Sequence, residues 1–529
     1  MKNIVNIVTF VRAVEPREGR NIDLEKPIIE QTRIMRELGL RGTFLLQYDA
    51  LISPNFRNLL ADYADFCEIG LWFEIVQPLV EDIGEEWHGR YPWDWYNDVG
   101  FLIGYEPKVR IRLIDKAMSK FKDLYGYYPK SVGSWHIDSV SMRHLAEKYN
   151  VDACCICRDQ VGTDGYTMQG GYYNQAYYPS VNNMFCPAKT LENQINMPVF
   201  RMLGSDPVYN YDSRIIKYGL ERNTATLEAG QLGRNPAWCD WFFKEIFNGN
   251  GLSFGYTQAG QENSFGWNVM CTGIEYQFPK IAELQRDGKV EVMTLGESGR
   301  YYKERFKTTP ASAIATNDAW LHPNMRSIWY CSKHYRINIF VDNDGFAKIR
   351  DIYVFDEQYP EHYLTKRCDT HACEFRNLPV MDGNVYSNVK EGIVAGVYLT
   401  KNGEPIKWDC VQYDEPSENT STVMLSYGSE FAKFTMTEQH IAIETNIDGF
   451  ALSPIYDKLR ATGKEDFADQ YANHNNGKTN ISFITKAEIV DNRIDFTFDG
   501  FDYSVTAEKG KISDDFSVTP QNNEIVLKF

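Results

Sequence analysis

Histidine is scarce in this chain. There are nine among 529 residues, and only His88, His136 and His144 fall in the first 300. None of those three is paired at i, i+4, the spacing that sets two imidazoles on one helix face for a shared metal. No apolar run approaches the roughly 20 residues that a membrane-crossing helix needs. No basic stripe is present either. The formal net charge is -17, which argues against nucleic acid, whose phosphates need a cationic surface. That balance suits an enzyme with a neutral or cationic ligand. The glycines at Gly170 and Gly171 are not followed by Gly-Lys-Ser/Thr, so they are no phosphate loop. Met1-Lys2 leads into NIVNIVTF, a strand pattern rather than a charged segment and then a long apolar leader. The 11 cysteines are odd in number and unevenly spaced. Cys154 and Cys155 sit side by side on a strand and face opposite ways, so reduced thiols and a cytoplasmic location are expected. Cys368, His371 and Cys373 are metal-capable types, yet no second ligand cluster accompanies them. There is no internal repeat and no low-complexity tract.

What is present is a large apolar and aromatic complement: 43% hydrophobic residues, with 33 Tyr and 11 Trp. The stretch Cys67–Gln77, CEIGLWFEIVQ, reads as a strand buried on both faces. Glu74 lies near its carboxyl end, and a carboxylate there must be paired, protonated or employed. Around it the chain alternates strand, helix, strand, helix, strand over its first 76 residues. Helices are predicted over 24–38, closed by Gly39, and over 55–66, 109–125, 139–149, 225–248 with a break near Gly230–Pro236, and 269–287. Further strands are predicted over 131–138, 151–158, 194–202, 252–258 and 290–295. Seven or eight such units in about 300 residues predict a parallel α/β barrel. Beyond Thr309-Pro310 the helical period fades. Segments such as YRINIFVD, TVMLSYG and RIDFTFDG alternate apolar and polar residues between Asn/Asp/Gly turns, which predicts an antiparallel β-sandwich. The expected division is 1–308 and 309–529.

Three segments in order, LRGTFLLQYDAL, CEIGLWFEIV and GYYPKSVGSWHIDSVSMRHLAEKYNVDA, resemble the polysaccharide deacetylase (NodB-homology) superfamily over residues 1 to about 160. The resemblance implies a distorted seven-stranded (β/α) barrel. The same general barrel occurs in family 57 and family 38 glycoside hydrolases, which carry β-rich domains after it. It also implies a divalent metal held by an Asp after the first strand and by an H-x-x-x-H motif. Here the two His positions fall on Trp72 and Val76, and the first strand ends in FVRAVE without an Asp pair. Neither Trp nor Val can ligate a metal, so no metal and no cofactor are expected.

The remaining candidates are carboxylates at strand ends. Glycoside hydrolysis needs two of them flanking the scissile bond, about 5 Å apart for retention and about 6.5–9.5 Å for inversion. Glu74 and Glu262 form the first-choice pair, with Asp138 and Asp159 next. By analogy with the family 57 barrel, the earlier carboxylate would be nucleophile and the later one acid. Substrate contacts are expected from Trp72, Trp93, Trp135, His136, Arg201, Gln258, Gln261 and Asn263, as stacking surfaces and hydroxyl-binding groups. Bland readings stand beside these. Glu262 could cap the following helix, Asp138 could cap the helix at Ser139, His136 could be a core residue, and Arg201 could pair with Asp206. The aromatic insertion around Trp87, Tyr91, Trp93 and Trp95 could be a stacking platform or a lid. The expected activity is a metal-independent glycosidase acting on an oligosaccharide. Its alternatives are a deacetylase with an altered metal site built from Glu15, Asp49, Glu74 or His136, and an inactive sugar-binding protein. A second copy of the chain stays open as a partner.

Overall fold

The computed structural model describes residues 2–17, 19–163, 165–213, 215–216, 218, 225–461, 463 and 481–529. In its first half, apolar strands and amphipathic helices alternate. The helix Lys26–Leu38 starts with a proline in its first turn and buries Ile28, Gln31, Ile34 and Met35. It stops at Gly39, whose φ of 67° lets its N–H bond back to the carbonyls of Met35 and Arg36. The helix Pro107–Tyr125 likewise begins on proline and ends at Gly126 with φ 83°.

The strands form one sheet, in the order Phe254–Ala259, Lys2–Val11, Gly42–Leu46, Cys67–Trp72, Ser131–Gly133, Ala153–Ile156 and Val199–Arg201. All six neighbouring pairs in that order run parallel. Ala176–Tyr177 then adds antiparallel to Val199–Arg201, and Glu291–Met293 pairs with the start of the first strand. The sheet therefore holds nine strands rather than the seven expected, and it curls as a half-barrel. Among the described residues no ladder joins its two ends. The reason is local: the free edge of Val199–Arg201 is taken by Ala176–Tyr177, so Phe254–Ala259 cannot pair there. The stretch TFLLQYDAL reads from its sequence as one strand, but the strand stops at Leu46 because Tyr48–Ile52 is a helix.

After the helix Leu295–Arg305 the chain becomes antiparallel sheet. One sheet has ten strands and starts at Ser312–Ala315; another has eight and starts at Cys410–Ser417. Strands such as Thr420–Tyr427 bury alternate residues, and apolar side chains of both sheets share one core, the sandwich-like arrangement. The two halves are tied together. Cys373–Arg376 pairs in parallel with Tyr166–Gln169, and Arg336 reaches Asp159 from across the chain. The stretch DQVGTDGYTMQGGYYNQAYYPSVNN reads from its sequence as a long polar aromatic loop, but its described residues form a hairpin and a buried aromatic layer. Tyr173, for example, stacks on Trp329 at 3.6 Å. No helix among the described residues is long and apolar enough to cross a membrane.

Candidate active site

Parallel strands all end on the same side of a sheet, and that is where side chains from distant segments converge. Arg12 follows Lys2–Val11, Gln47 follows Gly42–Leu46, Glu74 follows Cys67–Trp72 and Trp135 follows Ser131–Gly133. Arg158 and Glu262 follow Ala153–Ile156 and Phe254–Ala259. Together they surround a cleft of about 1190 Å³, which Arg12, Glu74, Trp135, Arg158 and Glu262 line.

The centre of the cleft is Arg12. Its Nε and Nη2 donate to the two oxygens of Glu74 at 2.9 and 2.8 Å. Its Nη1 lies 2.7 Å from Glu262 Oε2 and donates to Ser264 Oγ at 2.7 Å. Ser264 in turn donates to Glu262 Oε1 at 2.8 Å. Burial works against the guanidinium's charge, but Glu262 and Glu74 outweigh it and raise the Arg12 pKa. Trp93 lies under the guanidinium, 4.2 Å from ring centroid to carbon. Glu74 is only 2% exposed, and besides Arg12 it accepts from Trp135 Nε1 at 2.8 Å and Gln47 Nε2 at 3.1 Å. Four donors on two oxygens offset the desolvation of a buried carboxylate.

Glu262 is different. It is 5% exposed, and its Oε2 accepts no hydrogen bond despite the ion pair. Burial raises its pKa and Glu74 adds to that, against the pull of Arg12. It does not cap the short helix that follows it. Its position depends on Gly260, where φ is +100° and a Cβ would stand 2.3 Å from the Val8 carbonyl oxygen. Only glycine lets this turn pass so close to the first strand. Asn263 then locks the loop, bonding the Arg12 backbone on both sides and the Leu24 carbonyl.

Two further carboxylates surround this pair. Glu228 lines the cleft and accepts from Thr226 Oγ1 at 3.0 Å and Gln261 Nε2 at 3.3 Å. Burial raises its pKa, Glu262 contributes, and Arg158 opposes. Asp49 accepts the backbone N–H groups of Ala13 and Ala50, and burial pushes it up to about 7.

The expected pair, Glu74 and Glu262, thus meets on one guanidinium. Trp93 and Trp135 line the same cleft, and Trp95 joins them. The aromatic insertion is pinned by bridges from Glu74 to Phe101 and from Val76 to Trp93, so it forms a wall of the cleft.

Other expected residues lie elsewhere. Trp72 is buried against Phe10, 4.1 Å between ring centroids, because it points into the core from the strand. Burial pushes His136 down to about 3; it pairs with Asn97 at 2.9 Å and is a core histidine. Asp138 caps the helix Ser139–Tyr149 and pairs with fully buried Arg110 at 3.0 Å. Asp159 is claimed by Arg201 at 2.6 Å and by Arg336. Burial raises its pKa, but those two arginines lower it further. Arg201 therefore does not pair with Asp206, which instead accepts from Val208, Tyr209 and Trp238. Gln258, Gln261 and Asn263 stand behind the lining residues rather than among them.

A divalent metal of the kind the deacetylase resemblance implies does not fit these residues. Among the described residues no three His, Cys, Asp or Glu side chains converge on one point. Glu15 pairs with Arg17, Asp49 accepts backbone donors, Glu74 is saturated, and His136 is in the core. Arg12, a fixed cation, occupies the strand end where the family places an aspartate. His371 stacks on Tyr96 and pairs with Asp98, and Cys373 donates to Asn97.

Arg12, Arg158 and Glu228 were not singled out from sequence. Arg12 had a signal, a cation just past a buried strand. Glu228 lay inside a segment read as helix.

No protein-family model matches the chain, and no curated protein matches it by sequence. Solved structures do match. A Parabacteroides distasonis protein named, by assignment only, as a glycoside hydrolase/deacetylase aligns with a TM-score of 0.53 at 16% identity, over 71% of this chain and 90% of that one. A Mycobacterium smegmatis protein similarly named as a polysaccharide deacetylase gives 0.36 at 12% identity, over 57% and 91%. A family 57-type branching enzyme from Pyrococcus horikoshii gives 0.33 at 9% identity, over 58% and 71%. With the first of these, the chain shares the fold.

Proposed function

We propose that this chain, built on the fold of the glycoside hydrolase/deacetylase protein above, is a carbohydrate-active hydrolase that cleaves glycosidic bonds with Glu262 and Glu74. One observation carries the reading. Two buried carboxylates share the Arg12 guanidinium in unlike surroundings. Glu74 has every lone-pair direction filled by a donor, whereas Glu262 keeps an oxygen without a hydrogen bond and has a raised pKa. Unlike surroundings suit two carboxyl groups to unlike roles, and the one with the raised pKa is the better acid. Glu262 is the general acid and gives a proton to the departing glycosidic oxygen as the bond to the anomeric carbon breaks. The Glu74 carboxylate, held by its four donors, faces the positive charge that develops on the ring. Water then adds to that carbon and returns a proton to Glu262. Trp95 and Trp135, both partly exposed in the cleft, supply flat apolar faces for sugar rings.

The test is product release from neutral and acetylated oligosaccharides, with and without a chelator. Reducing ends appearing regardless of chelator are expected. Glu262→Gln should lower kcat by about 10²–10⁴. Wild-type rates in both Glu262→Gln and Glu74→Gln would refute the assignment. Acetate released only in the absence of chelator would replace it with metal-dependent deacetylation.

A further inference from the structure

Buried arginines in this protein hold carboxylates. Arg12, Arg110, Arg201 and Arg336 all do, as burial of a guanidinium requires. Arg158 is the departure. It is 5% exposed and lines the cleft. Its Nη1 donates to the Asp159 carbonyl at 2.6 Å and to Asn210 Oδ1 at 2.8 Å. Its Nε and Nη2 donate to nothing among the described residues, and no carboxylate there stands at ion-pair distance. Nε and Nη2 form the same edge with which Arg12 grips Glu74 in two parallel hydrogen bonds. In Arg158 that edge meets no acceptor among the described residues. A planar pair of N–H groups matches a carboxylate, or the equivalent oxygens of a sulfate ester, better than it matches a hydroxyl.

The surroundings agree. Gln160 Nε2 and Trp93 Nε1, in the wall of the same cleft, also lack acceptors. At the rim, Arg20 and Lys26 are exposed and make no ion pair among the described residues. Five cationic side chains line the cleft against four carboxylates, but Arg17 is held by Glu15 and Arg12 by Glu74 and Glu262, so the lining is near neutral although the whole chain carries -17. Among the described residues the lining cations without an ion pair are Arg158, Arg20 and Lys26, and these favour an anion.

We propose that the cleft takes a sugar bearing an anionic group, a carboxylate or a sulfate ester, with that group held by the Nε–Nη2 edge of Arg158. That the ligand is a sugar rests on the function proposed above.

Equilibrium binding to the full chain, by calorimetry, tests this without turnover. The probes are trigalacturonate and 6-sulfated N-acetylglucosamine, each against its neutral counterpart. At least one anionic probe should bind about tenfold tighter than its neutral partner, and Arg158→Gln should abolish that preference. Which probe wins tells carboxylate from sulfate. If Arg158→Gln does not fold, salt decides. Raising NaCl from about 50 to about 500 mM should weaken the anionic probe several-fold and leave the neutral one unchanged. Equal affinity for charged and neutral probes, no binding of either, a preference that survives in Arg158→Gln, or one indifferent to salt would each overturn the proposal. Tight anion binding without bond cleavage would leave it standing while the hydrolase reading fell; cleavage confined to neutral sugars would do the reverse.

Discussion

Asp49 allows the electrostatics of the strand ends to be tested on stability alone. It sits in the first turn of Tyr48–Ile52, 9% exposed, with Ala13 N at 3.1 Å and Ala50 N at 2.7 Å on its oxygens. Burial is the main cause that lifts it from 3.8 to about 7, and Glu74 adds while Arg12 opposes. A folded pKa above the unfolded one means that the native state keeps a proton the unfolded chain has released. Stability is therefore lost as pH rises from near 4 to near 7 and is level above that. Roughly three pH units at about 1.4 kcal/mol each give about 4 kcal/mol, of which about 3 kcal/mol falls above pH 5. Asp49→Asn removes the titration. Its amide can accept only one of the two N–H groups, a loss of about 1–3 kcal/mol that does not change with pH. The variant should be at parity or slightly weaker at pH 5 and clearly more stable at pH 8. The gap should shift by about 3 kcal/mol in all, roughly 3 °C in melting temperature for a chain this long. Thermal melts of both proteins at pH 5, 6, 7 and 8, followed by tryptophan fluorescence, measure that shift. A constant offset across the range would refute the reasoning, because it would mean that Asp49 is ionised throughout or in contact with water.

Arg12→Met should destabilise the fold by about 3–5 kcal/mol, since it leaves Glu74 and Glu262 buried without their cation. Part of that should return on adding Glu262→Gln, and part on acidification, as the stranded carboxyl groups take up protons; melts of the single and double variants read both. Asp138→Ala should lower the melting temperature strongly, because it removes a helix cap and strands Arg110. Turnover by the remaining folded protein should be unchanged, as Asp138 does not line the cleft.

How much of this was legible beforehand depends on the kind of question. The barrel-like half and the sheet half follow from local period, because a buried parallel strand and a half-buried antiparallel one write different patterns. Glu74 was visible as a charge inside an apolar run. Strand count was less accessible: closure turned on whether two residues, Ala176 and Tyr177, took the edge of Val199–Arg201. His136 and Trp72 carry no mark in sequence that separates a core ring from a cleft ring. Both sit beside strand ends, and the pleat decides which way each faces.

The sequence by itself determined which residues stand at strand ends, that two of them are the carboxylates Glu74 and Glu262, and that the usual histidine ligands are missing. Tertiary structure alone decided which partner each charge received. Asp159 went to Arg336, 177 residues away. Asp138 went to Arg110, and Glu74 and Glu262 went to Arg12, while Arg158 received no carboxylate among the described residues. Local sequence sets backbone period, because its interactions span a few residues. A buried charge is satisfied by whatever the fold brings within about 3 Å, and that is written only in three dimensions.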